Sequence, residues 1–161
     1  MKLIGTIGEV PIHHGVDSKG REIIQFIGPM RICCDGMPHN TYGDPHWQRG
    51  TAYYNGGKYL NADKVPYVVI PPFIRSAVEA TVMGSECEVE NLENHMLSDA
   101  ICGEIGPKDK LGEGSCELAR RVGLNPSPLF GGTQKRIIKY TIYVGINAVV
   151  DGMAYKLQRS S

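Results

Sequence analysis

Two glutamates in one short segment have the residue type and spacing for acid–base chemistry. Glu104 ends an apolar run and is followed by a Gly-Pro turn, and Glu113 stands between two glycines nine residues later. Glycoside hydrolysis needs two carboxyl groups, about 6.5 to 9.5 Å apart when water attacks directly and about 5 to 5.5 Å apart when one carboxylate attacks. A strand end and a helix start joined by such a loop can supply either distance.

A structural interpretation fits the same two residues. Glu104 would then be a surface charge at a strand end, and Glu113 would only favour a helix dipole, an effect of about 0.3 to 1 kcal/mol. Acidic side chains are common on any protein surface. The spacing by itself therefore leaves both interpretations open.

Composition and charge exclude several classes of partner. The 161 residues include 17 Lys plus Arg and 17 Asp plus Glu, for a formal net charge of zero. Nucleic acids and acidic membranes attract a basic excess, so neither is predicted as a partner. No apolar run approaches the ~18 residues of a membrane span, and the N-terminal segment lacks the length and cleavage site of a signal peptide. The length predicts one domain over residues 1–161.

The elements that must position these residues are mainly strands. With 20 Gly and 10 Pro, the chain is rich in turn formers, and β-branched and aromatic runs lie between the turns. Apolar spacing predicts one short helix within Gly112 to Gly123, with Ser115 or Glu113 as its N-cap, and a helical turn at Phe73 to Ala80. A mainly β fold, closed or nearly closed into a barrel, follows. Strands are predicted at Lys2 to Val10, Arg21 to Ile27, Met30 to Cys34, Tyr67 to Ile70, Thr81 to Val89, Met96 to Glu104, Arg136 to Ile146 and Met153 to Leu157.

A long polar and aromatic loop is predicted from Asp35 to Asp63. Loops of this length in a compact domain are more often functional surfaces than simple connections. The alternative is that the aromatic rings cap the core, because aromatic side chains bury large areas wherever they lie. The acidic and aromatic residues in question are Asp35, Asp44, Trp47, Tyr53, Tyr54 and Asp63.

Cysteine and histidine spacing predicts neither a metal nor a cofactor. The five cysteines include one adjacent pair and no C-x-x-C motif, and the five histidines form no H-E-x-x-H motif. Buried, reduced thiols are the default for such cysteines, and one or two disulfides stay open if the protein leaves the cytoplasm.

Four motifs follow one another from the end of the long loop onwards. They are Asp63-Lys-Val-Pro-Tyr-Val-Val-Ile-Pro71, Gly103-Glu104-Ile-Gly-Pro107, Lys110-Leu-Gly-Glu113-Gly-Ser115, and Gly131-Gly132 before a strand. In order and spacing, the set resembles the fungal chitosanases of glycoside hydrolase family 75. The likeness extends from about Cys34 to Val144.

The resemblance implies a fold and an activity. The fold is a six-stranded, double-psi-like barrel with one short helix. The activity is that of an inverting, endo-acting polysaccharide hydrolase, which cleaves β-1,4 bonds between amino sugars in chitosan or a related polymer. Glu104 and Glu113 match the catalytic pair, although the family carries Asp where this chain has Glu104. Replacement of Glu104 by Asp is therefore expected to retain or raise activity.

Roles for individual residues follow from the same resemblance. An inverting site needs a protonated acid beside the leaving oxygen and an ionised base that holds water. Glu104, at the end of an apolar strand, is assigned as the acid, and Glu113, near a helix N-terminus, as the base. Three acids are expected to attract a cationic polymer and three aromatic residues to stack on its sugar rings. These are Asp35, Asp44 and Asp63, and Trp47, Tyr53 and Tyr54 respectively.

Two alternatives remain beside a chitosanase-type hydrolase. One is a non-catalytic carbohydrate-binding barrel that has changed at the first acid. The other is a peptidoglycan-directed lytic enzyme delivered by a phage or a secretion system, for which no signal peptide is needed. The location stays undetermined, with secretion or non-classical delivery expected if the protein acts on a polymer.

Overall fold

The chain is built mainly from strands. A computed structural model describes residues 1–79 and 83–158. Two six-residue helices are present where the sequence predicted one helix and a helical turn: α1 (Pro72–Ala77) and α2 (Cys116–Arg121). The strands are β1 (Lys2–Ile7), β2 (Val10–Val16), β3 (Glu22–Cys33), β4 (Tyr54–Asn55), β5 (Lys58–Tyr59), β6 (Tyr67–Ile70), β7 (Ser85–Asn91), β8 (Leu97–Ile105), β9 (Glu113–Ser115), β10 (Thr133–Asn147), β11 (Val149–Val150) and β12 (Met153–Ala154).

Six of the strands close into a barrel. Around the ring the order is β3, β10, β7, β8, β6 and β9, and β9 pairs again with β3. The pairs β6–β8 and β3–β9 are parallel, and the other four pairs are antiparallel. The predicted mainly β, six-stranded barrel is thus confirmed. Strands β1 and β2 extend the sheet beyond β3 as an antiparallel meander.

Strand β3 is continuous where the sequence predicted two strands separated by Gly28-Pro29. The partner strand β10 has a large irregularity at this point, since Thr133 pairs with Met30 and the next pair is Ile138 with Gly28. A proline lacks a backbone donor and is tolerated in a sheet at such a bulge. The carbonyl oxygen of Pro29 accepts a hydrogen bond from the Tyr140 hydroxyl at 2.6 Å.

Two further strand predictions were wrong. The predicted strand Lys2 to Val10 is interrupted after Ile7, and the segment Val10–Val16, most of which had no predicted strand, forms β2; Pro11 lies in the register opposite Thr6. The C-terminal strand does not complete the barrel, because β12 pairs only with β11 in a separate two-stranded sheet. Ala80 and the first residues of the predicted strand Thr81 to Val89 lie outside the described residues.

The predicted helix over Gly112 to Gly123 is only half right. Its first part is strand β9, which pairs with β3 on one side and β6 on the other. Gly112 permits this close approach: its φ is +102°, and a Cβ there would lie 2.3 Å from the Pro29 carbonyl oxygen. Helix α2 starts only after the predicted N-cap Ser115, whose hydroxyl accepts a hydrogen bond from the Leu118 amide.

The barrel interior is filled by apolar side chains. Strand β6 is buried at all four positions, as its continuous apolar run predicted. The rings of Phe26 and Tyr140 stack across β3 and β10 with centroids 4.6 Å apart. All five cysteines are buried. No helix in the described part of the chain is long and apolar enough to cross a membrane.

Candidate functional site

One transverse row of residues crosses four strands and carries both predicted catalytic acids. Glu113 on β9 is in register with Arg31 on β3 and with Val69 on β6, and Val69 is in register with Glu104 on β8. Directly paired residues present their side chains to the same face of a sheet. Two interstrand spacings of about 4.7 to 4.9 Å place the backbones of Glu104 and Glu113 about 10 Å apart.

This row opens into a groove with a volume of about 870 Å³. Both acids line it, with Val69 between them. The opposite walls come from the long loop after β3 and from the loop before β10. Among the lining residues are Asp35, Asp44, His46, Trp47, Lys110 and Leu129.

A bulge in β8 turns Glu104 toward the groove. Successive residues of β6, Val68 and Val69, pair with Cys102 and Glu104, so that Gly103 is the extra residue. A Cβ at Gly103 would lie 2.4 Å from the Leu60 side chain, which explains why a glycine occupies this position. The Gly103 carbonyl accepts a hydrogen bond from the Tyr53 amide at 3.0 Å and so fixes the loop against the bulge.

Glu104 is only 7% exposed, and backbone amides bind one of its two carboxyl oxygens. Its Oε1 accepts hydrogen bonds from the amides of Ala52 at 2.9 Å and Ile105 at 3.0 Å. Because these two donors occupy Oε1, a proton on this carboxyl belongs on Oε2. Burial, together with a side-chain hydrogen bond to Asp35, raises the pKa of Glu104 to about 8. Glu104 is therefore protonated at neutral pH, as a general acid must be.

Asp35 is held in place beside Glu104 by the long loop. Its Oδ1 accepts a hydrogen bond from the Gln48 amide at 2.8 Å. The second carboxyl oxygen of Asp35 is therefore available for the hydrogen bond with Glu104. Asp35 thus directly contacts the acid, whereas the sequence placed it only among the substrate-binding residues.

Glu113 has a cationic partner that the sequence analysis missed. The Arg31 guanidinium lies 3.2 Å from Glu113 Oε1. Burial raises the pKa of Glu113, and Arg31 opposes that rise by favouring the anion. Glu113 itself lies in β9, three residues before α2 begins, and the cation that favours its anion is Arg31. A charged residue within the apolar run Met30 to Cys34 was the signal for Arg31 in the sequence.

The described residues contain one group of three side chains close enough to share a metal ion. Ligand atoms of Cys33, Asp35 and Glu104 lie within 4.8 Å of one another. Each already has a protein partner, since Cys33 Sγ lies 3.3 Å from the Tyr67 hydroxyl oxygen and the two carboxyl groups bind each other. The group is thus satisfied as a hydrogen-bonded cluster.

Two of the predicted substrate-binding residues in the loop, Asp44 and Trp47, line the groove together with Asp35. Asp44 is buried and its Oδ1 accepts a hydrogen bond from the His46 amide at 2.9 Å. Trp47 is half-buried, and its Nε1 has no hydrogen-bond partner among residues 1–79 and 83–158. These residues form the loop side of the groove.

The structure does not bring Tyr53, Tyr54 or Asp63 into the groove. Tyr53 is 3% exposed and packs edge-on against Tyr155, so its ring belongs to the core. Tyr54 packs on Tyr59 in the β4–β5 hairpin, with ring centroids 4.7 Å apart. Asp63 forms an ion pair with Arg120 of helix α2. These three residues therefore lie apart from Asp35, Asp44 and Trp47, with which the sequence grouped them.

An exposed aromatic residue at the groove rim was also missed. Phe130 is 87% exposed, and its neighbours Leu129 and Gly131 line the groove. The loop that carries it is rich in Pro and Gly, and the sequence analysis treated it only as a connection to β10. A flat apolar ring at the rim of a groove is a suitable surface for a sugar ring.

The raised pKa of Glu104 predicts that the protein is less stable at higher pH. The folded state keeps the proton up to a pH of about 8, whereas an unfolded glutamate loses it near about 4.3. The unfolded state binds fewer protons between these values, so the free energy of unfolding falls with pH, by at most about 1.4 kcal/mol per unit. Urea unfolding at pH 5, 6, 7 and 8 measures this slope.

The matched control for that slope is Glu104→Gln, which cannot titrate. Glu86, whose pKa burial raises to about 7, contributes equally to both proteins. The variant is expected to show the shallower slope. Equal slopes would mean that Glu104 is ionised in the folded protein at neutral pH.

Comparison with known proteins gives a distant relative and no family model. No family model matches the chain. It is 28% identical over 134 residues, covering 80% of this chain, to Endo-chitosanase C of Aspergillus oryzae. The chain spans 33% of that relative's length. The similarity is distant, and it suggests a chitosanase-like family.

Proposed function

We propose that this chain is an inverting, endo-acting polysaccharide hydrolase of the chitosanase type. The observation that carries the proposal is the placement of Glu104 and Glu113 on either side of Val69, with both carboxyl groups lining one groove. Backbones about 10 Å apart are compatible with either separation of the carboxyl groups, about 6.5 to 9.5 Å for direct attack by water and about 5 to 5.5 Å for attack by a carboxylate. The inverting course is proposed from the resemblance to the chitosanases.

Glu104 acts as the general acid in this proposal. Its Oε2 proton, held between Glu104 and Asp35, passes to the glycosidic oxygen as the bond to the sugar breaks. The amides of Ala52 and Ile105 on Oε1 then stabilise the carboxylate that remains. Asp35 positions the proton and, as the more exposed of the pair, connects Glu104 to solvent for reprotonation.

Glu113 acts as the general base. Its carboxylate accepts a proton from the attacking water, which lies on the opposite face of the sugar ring. Arg31 keeps the carboxylate ionised before the reaction and fixes its orientation through Oε1. Gly106 leaves the space beside it open, since a Cβ there would lie 3.5 Å from Glu113 Oε1 and 2.8 Å from Val69 Cγ1.

The charges of the groove support a cationic polymer as substrate. Four carboxyl groups line it, against the two cations Arg31 and Lys110. Arg31 is bound to Glu113, so the loop side with Asp35 and Asp44 remains acidic. Chitosan carries a free amine on most of its sugars and is the polymer that such a surface attracts.

A reducing-end assay on chitosan, chitin, cellulose and peptidoglycan tests the proposal. Release of reducing ends is expected from chitosan, with a rapid fall in chain length if cleavage is endo-acting as proposed. Preferential cleavage of peptidoglycan would support the lytic alternative. No cleavage of any polymer, combined with binding, would support the non-catalytic barrel.

Trp47 provides an optical signal for binding at the same groove. It is the only Trp in the chain, and its ring lines the groove, so a chito-oligosaccharide is expected to change its fluorescence. The titration is best done with Glu113→Gln, in which hydrolysis is slow. An unchanged spectrum at saturation, with binding measured independently by calorimetry, would place the sugar elsewhere.

A further inference from the structure

Two buried cysteines next to the groove lie in contact. Cys34 Sγ and Cys116 Sγ are 3.0 Å apart, and the side chains are 1% and 0% exposed. Their backbones are side by side, because Cys33 on β3 and Ser115 on β9 are paired in parallel and the two cysteines are the next residue on each chain segment. Neighbouring strands lie about 4.7 to 4.9 Å apart, which is within the range of Cα separations that a disulfide spans.

We propose that Cys34 and Cys116 form a disulfide when the protein meets a small-molecule disulfide such as oxidised glutathione. The sulfur atoms of a disulfide are about 2.0 Å apart, so the bond requires an approach of about 1 Å from the present contact. This bond is independent of what the groove binds.

The disulfide forms by two successive steps of thiol–disulfide exchange. Both sulfur atoms are buried in the folded protein, so the exchange proceeds when this segment opens locally: the Cys116 thiolate attacks one sulfur of oxidised glutathione, forming a mixed disulfide and releasing one glutathione thiolate. The Cys34 thiolate then attacks the Cys116 sulfur and releases the second. The protein loses two hydrogen atoms and is oxidised, and one oxidised glutathione is reduced to two thiols.

The local environment favours Cys116 as the first nucleophile. The hydrogen bond from the Cys34 thiol lowers the pKa of Cys116, and it raises that of Cys34. Cys33 is a poor competitor, since burial and the nearby acids Glu113 and Asp35 raise its pKa. Adjacent residues of a strand point to opposite faces, which separates Cys33 from the pair.

The bond would link the two chain segments that carry Asp35 and Glu113. Asp35, which contacts Glu104, directly follows Cys34, and Glu113 precedes Cys116 by three residues. The two cysteines are 82 residues apart in sequence, so the bond closes a long loop in the unfolded chain. Closing such a loop is expected to raise the thermal unfolding midpoint by roughly 10 °C.

Peptide mapping after incubation with oxidised glutathione tests the proposal. Trypsin releases Cys34 within residues 32–49 and Cys116 within residues 111–120. These two peptides are expected to be joined by a bond that a reductant cleaves. Thiol titration in denaturant is expected to fall from five to three, and the unfolding midpoint to rise as stated.

Single substitutions identify the cysteines concerned. Cys33→Ser is the matched control, because it alters the same peptide and is expected to retain both the link and the thermal shift. Cys34→Ser and Cys116→Ser are each expected to lose both, and Cys34→Ala provides a second variant if the hydroxyl is poorly accommodated. Five free thiols and no linked peptide in the wild-type protein after this treatment would overturn the proposal, as would a link that Cys34→Ser retains.

Discussion

Replacement of Glu113 by Gln is expected to lower the rate of polymer hydrolysis by about 10²-fold or more. The amide keeps the shape of the side chain and its place beside Arg31, but it cannot accept a proton from water. Binding of the sugar is expected to change little, so the loss lies in kcat. Initial rates of reducing-end release from chitosan, with the wild-type protein at equal concentration, measure it.

Two controls separate this loss from unfolding. Glu93→Gln removes an exposed carboxylate that pairs with Lys135, and changes at such surface sites shift the unfolding free energy by no more than about 0.5 kcal/mol. It is expected to have wild-type activity. The unfolding midpoint of Glu113→Gln reports whether the fold is retained. Undiminished turnover in a folded Glu113→Gln protein would remove Glu113 from the mechanism.

Replacement of Glu104 by Asp is expected to lower activity by about 10²-fold, contrary to the expectation from the family resemblance. The longer side chain of Glu104 reaches the Ala52 and Ile105 amides across the β8 bulge. An Asp carboxyl would be displaced by about 1.5 Å, and misplacement on this scale can cost about 10²-fold in rate. The two amides would also lose their acceptor, at about 0.5 to 1.5 kcal/mol of stability for each hydrogen bond.

The companion variant Glu104→Gln distinguishes the acid role from a positioning role. The Gln oxygen can still accept from both amides, so its fold is expected to be retained, but it has no proton to donate. Hydrolysis of a natural glycosidic bond should then be slow, whereas an aryl glycoside with a leaving group that needs no protonation should still react. Activity of Glu104→Asp equal to or above wild-type would show that the reach of Glu104 is unimportant.

The sequence predicted those parts of the barrel whose signal is local. The continuous apolar run of β6 predicted a strand buried on both faces, and the structure places it between β8 and β9. The long alternating run of β10 likewise predicted a half-buried strand. Both signals come from neighbouring residues in the chain, and pairing with distant strands does not alter them.

The parts that were missed depend on pairing between distant segments. Residues 113–115 directly precede the helical apolar spacing of Cys116, Ala119 and Val122 and were included in the predicted helix, but hydrogen bonds to β3 and β6 hold them as a strand. This pairing also brings Arg31 to Glu113 across 82 residues of sequence. Local propensity is a weak guide where tertiary contacts supply hydrogen bonds on both sides.

The aromatic residues of the long loop show a second limit. Trp47 and Tyr53 have the same type of polar surroundings in the sequence, yet one lines the groove and the other is buried against Tyr155. An irregular loop has no side-chain period from which a buried face can be inferred. Its composition therefore indicated a functional surface without indicating which of its rings belong to that surface.

The anomeric form of the first product tests the central proposal most directly. Proton NMR during hydrolysis of a β-1,4-linked chitosan oligomer distinguishes the α from the β reducing end before they equilibrate. With Glu104 as the acid and Glu113 as the base, the proposal predicts direct attack by water, and hence the α-anomer as the initial product. An initial β-anomer would require one carboxylate to attack the sugar and would contradict the assignment of Glu113 as a base.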